Sequence, residues 1–208
     1  MAYDSTPSAE TEDRAWLLTQ MAHLNYVAGD LSKAEIYGRG ALGLFPNYHY
    51  ALGTLAQVRI SQKRYDDAVS LLRTRYNAAP HAENLYALAE ALELAGHTDE
   101  SSKAFAEFES KSLAETNFSD NSNHELIAYY VDHAHRPEKA LEVAKREVER
   151  RKDVFTLDYY SWALAANRDF EAANQQIQKA LQVGVKDPKI LGHAAFIARH
   201  LNQAEKTE

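Results

Sequence analysis

The chain has 208 residues, 45% of them hydrophobic and 25% charged, an ordinary balance for a folded protein. It has no run of 18 apolar residues, which excludes a spanning helix, and no cysteine, which excludes disulfides, thiolate zinc sites and a cysteine nucleophile. The net charge of −7 argues against general binding of a phosphate backbone, and residues 82–135 alone hold eleven carboxylates against two lysines.

Residues 1–12 are polar and acidic, lack the basic and apolar regions of a signal peptide, and are expected to form a disordered tail. From Asp13 to Ala28 an apolar stripe of Leu17, Leu18, Met21 and Leu24 predicts a helix that Gly29 ends. Ser32 with Glu35 three residues on reads as a capping box, and the helix it opens runs to about Phe45 and stops at Pro46. The same grammar predicts helices near 49–62 and 65–79 before Pro80, and near 83–95 and 98–114 around Gly96. The polar stretch Thr116–Asn123 then reads as a surface or contact loop, with an Asn117-Phe118-Ser119 sequon inside it. Helices near 123–134 and 137–151 start at Asn123 and Pro137, and a further pair covers 154–167 and 170–183 before Gly184. Asp187-Pro188 opens a last helix to about Asn202, and residues 203–208 form a tail.

A period of 34 residues organises these elements. Leu18, Met21, Ala22, Leu31, Ala34 and Pro46 recur in character as Leu52, Leu55, Ala56, Tyr65, Ala68 and Pro80. Where the two helices of each hairpin cross, the first helix offers Ala22, Ala56, Ala89, Ala128 and Ser161. The second offers Ala34, Ala68, Ser101, Ala140 and Ala173, because a bulky side chain there would force the helices apart. With their aromatic plugs, Tyr65 and Phe170, and closing prolines, these residues resemble the tetratricopeptide repeat (TPR) over residues 13–202. Segments such as "FPNYHYALGTLA" and "DPKILGHAAFIA" are also similar to part of a bacterial multi-repeat group of uncharacterised function.

The resemblance implies an all-α fold, a right-handed superhelical solenoid of about five hairpins plus a terminal helix, about eleven helices in all. The units are expected at about 15–48, 49–81, 82–115, 121–153 and 154–187, with the single helix at 188–202, as one solenoid domain. It implies a non-enzymatic scaffold whose first helices line a concave groove that binds a peptide or protein segment. In this register the groove carries Trp16, His23, Tyr26, Tyr50, Gln57, Tyr86, Glu90 and Glu93, then Tyr129, Asp132, His133, Asp158, Tyr159, Trp162, His193 and Arg199. The basic clamp with which some family members hold acidic C-terminal tails is missing: Thr19, His23, Gly53, Glu83 and Ala87 stand in its place. The expected ligand is therefore neutral to basic, with aromatic or apolar anchors.

Other chemistries are poorly provided for. His133 and His135 are two apart and do not share a helix face, so no metal site, and no cofactor, is expected. No oxyanion hole, phosphate loop or nucleophile elbow accompanies Asp132, Glu125 and His133, so no enzyme is expected. The basic residues Lys145, Arg146, Arg150, Arg151 and Lys152 are diluted by Glu147 and Glu149, which disfavours nucleic acid. In the last helix Leu191, Ala194, Ala195 and Ala198 are expected to face inward, leaving Ile190, Phe196, Ile197 and Leu201 as an apolar surface. That surface suggests an assembly module excised from a longer array, or a homodimer through this helix. Membrane insertion is not expected. The default location is cytoplasmic, with export if a signal preceded the sequence.

Overall fold

The structure is a computed structural model that describes residues 10–204 except 119, 120, 122 and 185. Among the described residues every regular element is helical. The first six are α1 (Thr11–Val27), α2 (Leu31–Leu44), α3 (His49–Ser61), α4 (Tyr65–Ala78), α5 (Ala82–Leu94) and α6 (Thr98–Glu115). Then come α7 (His124–Ala128), running into a π-helical turn at Tyr129–His133, and α8 (Pro137–Arg150). The last are α9 (Val154–Ala166), α10 (Phe170–Leu181) and α11 (Pro188–Ala204). The chain divides into two compact units, Met1–Lys111 and Ser112–Glu208.

Local chemistry sets the helix ends. Asp30, not Ser32, caps α2, its side chain accepting the Lys33 N–H at 3.0 Å. Glu35 is thereby released from the expected capping box and pairs instead with Arg59 of α3. Asp153 and Asp169 cap α9 and α10 in the same way, and Asp187 accepts from Lys189 and Ile190 at the start of α11. Each hairpin turn places one residue in the left-handed region: Gly29 and Gly96, but also Lys63, His135 and Arg168 at the equivalent places. The expected N-terminal tail is shorter than 1–12, since Thr11 and Glu12 already belong to α1. Residues 1–9 and 205–208 of the two expected tails, and Ser119 of the sequon, lie outside the described residues.

In the first unit the hairpins α1/α2 and α3/α4 pack in sequence. Tyr48 and Ala51, from the start of the second hairpin, join Ala15, Leu18 and Ala41 in one apolar cluster. All ten expected crossing residues of the chain are buried. Ser101, which departs from alanine, donates its hydroxyl to the carbonyl of Ala89, its opposite number across the crossing, at 3.0 Å. The polar atom is thus satisfied where the helices approach. Arg73 with Glu100, and Tyr76 with Glu107, tie α4 to α6 on the outside.

In the second unit Leu164, Ala165, Ala173, Ile177, Ile190 and Ile197 form the core, so α11 lies against the α9/α10 hairpin. This reverses part of the expected face of α11: Ile190, His193 and Ile197 are buried, whereas Leu191, Ala195 and Ala198 are exposed, while Ala194 packs on the core and Phe196 is exposed as expected. The fourth hairpin begins at His124 with Asn123 as its N-cap residue, close to the expected start, but the Asn123 side chain does not cap the helix. That residue is left-handed at φ 54°, and its buried side chain donates to the Thr116 carbonyl and to Glu147 at 2.8 Å. Arg150 reaches the Phe118 carbonyl and Arg151 that of Asn121, so the described part of Thr116–Asn123 is tied down by α8.

Candidate functional site

The expected groove residues fall in different environments. In the first unit Trp16 and Tyr50 are about half exposed, His23, Gln57 and Glu93 are exposed, and Tyr26 and Glu90 are half-buried. Tyr86 is buried, its ring 5.0 Å from Phe108 and 6.0 Å from Phe105. Its side chain is core, not groove surface. Tyr129, Asp158 and His193 of the second unit are likewise buried, while Asp132 and Arg199 are exposed and His133, Tyr159 and Trp162 half-buried.

The second unit brings four of these residues together. His193 of α11 donates from Nδ1 to Oδ1 of buried Asp158 at 2.9 Å. The imidazole stacks on Trp162 with centroids 4.2 Å apart and planes 7° apart. The indole Nε1–H donates to Asp132 Oδ1 at 2.8 Å. Trp162 is therefore held both by a ring face and by its polar tip, a rigid platform with little side-chain entropy left to lose on binding.

This platform forms one wall of a cleft of about 660 Å³, lined also by Asp132, Arg168, Phe170, Phe196 and His200. Phe196 meets Trp162 edge-on at 5.1 Å, and His200 stacks on Phe170 at 4.9 Å. His200 donates Nδ1–H to the Phe196 carbonyl at 2.9 Å, which makes Nε2 an acceptor when the ring is neutral. Asp132 belongs to the π turn, whose wider winding is marked by the Ala134 N–H bonding to the Tyr129 carbonyl. Phe170 is expected only as an aromatic plug between hairpins, and His200 is not among the expected groove residues.

A second histidine site lies at the start of α7. His124 stacks on Tyr159 at 4.9 Å and its Nε2 lies 3.0 Å from Thr156 Oγ1. The Thr156 hydroxyl donates to Asp153, so the imidazole is the donor to Thr156. Burial pushes its pKa down to about 4, against the smaller opposing pull of Asp153. Lys189 Nζ donates to the Tyr159 hydroxyl and stands 5.0 Å over its ring. This is a packed, neutral arrangement and not an acid–base pair open to a substrate. Among the described residues no three His, Asp or Glu side chains are grouped to hold a metal, and no helix is long and apolar enough to cross a membrane.

No family model and no curated protein matches the chain. Solved structures do. A thermophilic TPR protein of Thermus thermophilus aligns with a TM-score of 0.67 over 90% of this chain and 98% of that one, at 17% identity. Pseudomonas aeruginosa pilF aligns with a TM-score of 0.55 over 99% and 88%, also at 17% identity. Nearly identical TPR-like repeats from Podosopora anserina give 0.52 over 84% and 96%, at 16% identity. At such identities the likeness is one of fold: the chain has the all-α tetratricopeptide-repeat fold.

Proposed function

We propose that this tetratricopeptide-repeat chain is a non-enzymatic protein-interaction module that holds a neutral to basic segment of a partner by aromatic or apolar anchors. The observation that carries the reading is the second unit's cleft, where Trp162, Phe170, Phe196 and His200 surround a space large enough for one or two side chains. Rigid aromatic walls with a few polar groups at the edge are the composition of binding hot spots. The lining's own charges, Asp132 and Arg168, offset one another, so apolar and aromatic contact is its main chemistry. Asp132 still has a second carboxylate oxygen to accept a donor at the tip of a tyrosine, tryptophan or basic side chain. The missing basic clamp argues against acidic tails.

A peptide array varying charge and aromatic content tests this. Neutral and basic peptides with aromatic anchors are expected to bind, and Phe196→Ala to weaken them at least tenfold. Preference for acidic C-terminal tails, or binding indifferent to Phe196→Ala, would refute the reading.

A further inference from the structure

Six residues occupy one equivalent place, two positions after the small crossing residue of each first helix: Leu24, Val58, Ala91, Tyr130, Ala163 and Ile197. The last five are 1% exposed or less, whereas Leu24 is 67% exposed. Ile197 shows what covers this place: it shares a cluster with Leu164, Ala173 and Ile177 of the preceding hairpin. The surface around Leu24, with Val27 also exposed one turn on, is thus shaped to receive a preceding TPR helix.

A second equivalent place, four positions before the crossing residue, holds Leu18, Leu52, Leu85, His124, Leu157 and Leu191. The first, second, third and fifth are buried, and Leu191 is 46% exposed. Leu18 is covered by its own second helix and by the start of the next hairpin, through Ala41, Tyr48 and Ala51. Leu191 on α11 therefore presents a side that, in the first hairpin, the second helix and the following first helix cover together. Leu24 and Leu191 are the two halves of one repeat-to-repeat seam.

We infer that copies of this chain associate head to tail, α11 of one copy receiving α1 of the next as α1 receives α3. Charge agrees with this partner: Pro188–Asn202 carries Lys189 and Arg199 and no carboxylate, while Glu10, Glu12 and Asp13 are exposed at the start of α1. The contact is heterologous, since each face meets a different one, so it adds copies in sequence, as a chain or a ring, and does not stop at a two-fold dimer. Pairing of α11 with itself would leave the Leu24 surface bare. Because α11 contributes one helix and not a hairpin, the seam is smaller than an internal one, and the association is weak and reversible.

Analytical ultracentrifugation of the full chain over a wide concentration range tests the inference. The weight-average mass is expected to rise past two copies, and to fall back in high salt. Leu24→Glu and Leu191→Glu are each expected to remain single copies, with unchanged circular dichroism because both side chains face solvent. Mixed in equal amounts they are expected to form a dimer and nothing larger, since one intact face remains on each. Leu24→Gln and Leu191→Gln serve if the charged variants fail to fold. A single-copy mass at every concentration overturns the inference. So does a closed dimer sensitive to Leu191→Glu alone.

Discussion

Glu35 and Arg59 join α2 to α3 through a forked pair, Nη1 to Oε2 at 2.7 Å and Nη2 to Oε1 at 2.5 Å. Arg59 also donates to Gln62 at 2.7 Å, and Glu35 accepts from Arg39 at 2.8 Å. The two side chains are unequally sheltered, 6% exposed for Arg59 and 25% for Glu35. The cost of breaking the pair depends on which charge remains. Glu35→Gln strands a guanidinium that water hardly reaches, with Gln62 still accepting from it, and is expected to cost about 2–3 kcal/mol. Arg59→Met leaves a carboxylate that water and Arg39 still reach, and fills the space with an apolar chain, so about 1 kcal/mol is expected. The double variant should then be milder than the sum of the two. Urea unfolding followed by circular dichroism measures all three. The pH dependence gives a second reading of the same pair, because the Arg59 hydrogen bonds hold the Glu35 pKa down at about 2. A carboxylate lowered on folding contributes stability above its ordinary value of 4.5, and that contribution is lost as pH falls from there toward 2. Glu35→Gln should abolish that slope. If Arg59→Met costs as much as Glu35→Gln or more, the argument from the stranded charge is wrong.

His124 works in a different window: its pKa falls from 6.5 to about 4 on folding, so stability is full above pH 6.5 and is lost as pH drops toward 4. His124→Phe keeps the stack on Tyr159 and should flatten thermal stability across that range; an unchanged slope would show that another group titrates. Gly38 allows no side chain, since a Cβ there would lie 2.8 Å from Cγ and Cδ2 of buried Leu55. Gly38→Ala is expected to cost about 1–2 kcal/mol in urea, and a neutral result would mean that Leu55 yields. Lys63 is left-handed at φ 58° where the first and third hairpins use glycine, so Lys63→Gly should stabilise by about 0.5 kcal/mol. Destabilisation would show that the lysine side chain makes up for its backbone.

The repeat was legible because its seams impose size. Ala22, Ala34 and their eight counterparts are small wherever two helices cross, and the three-dimensional structure buries them all. Gly29 and Gly96 announced two turns; Lys63, His135 and Arg168 adopt the same left-handed backbone without glycine, and only the geometry reveals it. The π turn was hidden for a related reason. Tyr130, almost fully buried, stands where Val58, Ala91 and Ala163 suffice elsewhere, and nothing in the local pattern signals the wider winding around it. On α11 the apolar spacing fits two faces, and Leu191, Ala195 and Ala198 look inward only if a further helix packs on them. The expected groove residues were legible as positions on the first helices, but their exposure was not. Exposure there depends on long-range partners, such as the Phe105 and Phe108 rings over Tyr86, or His193 over Asp158.

Trp162 reports directly on the cleft, and replacing Trp16 with phenylalanine leaves it as the only indole in the chain. Its fluorescence should be titrated with a neutral to basic peptide that carries a tyrosine or phenylalanine anchor and no tryptophan. Binding in the cleft predicts a saturable change in emission that Phe196→Ala weakens at least tenfold. A peptide that binds by an independent measure yet leaves Trp162 emission unchanged would contradict the assignment of this cleft as the site.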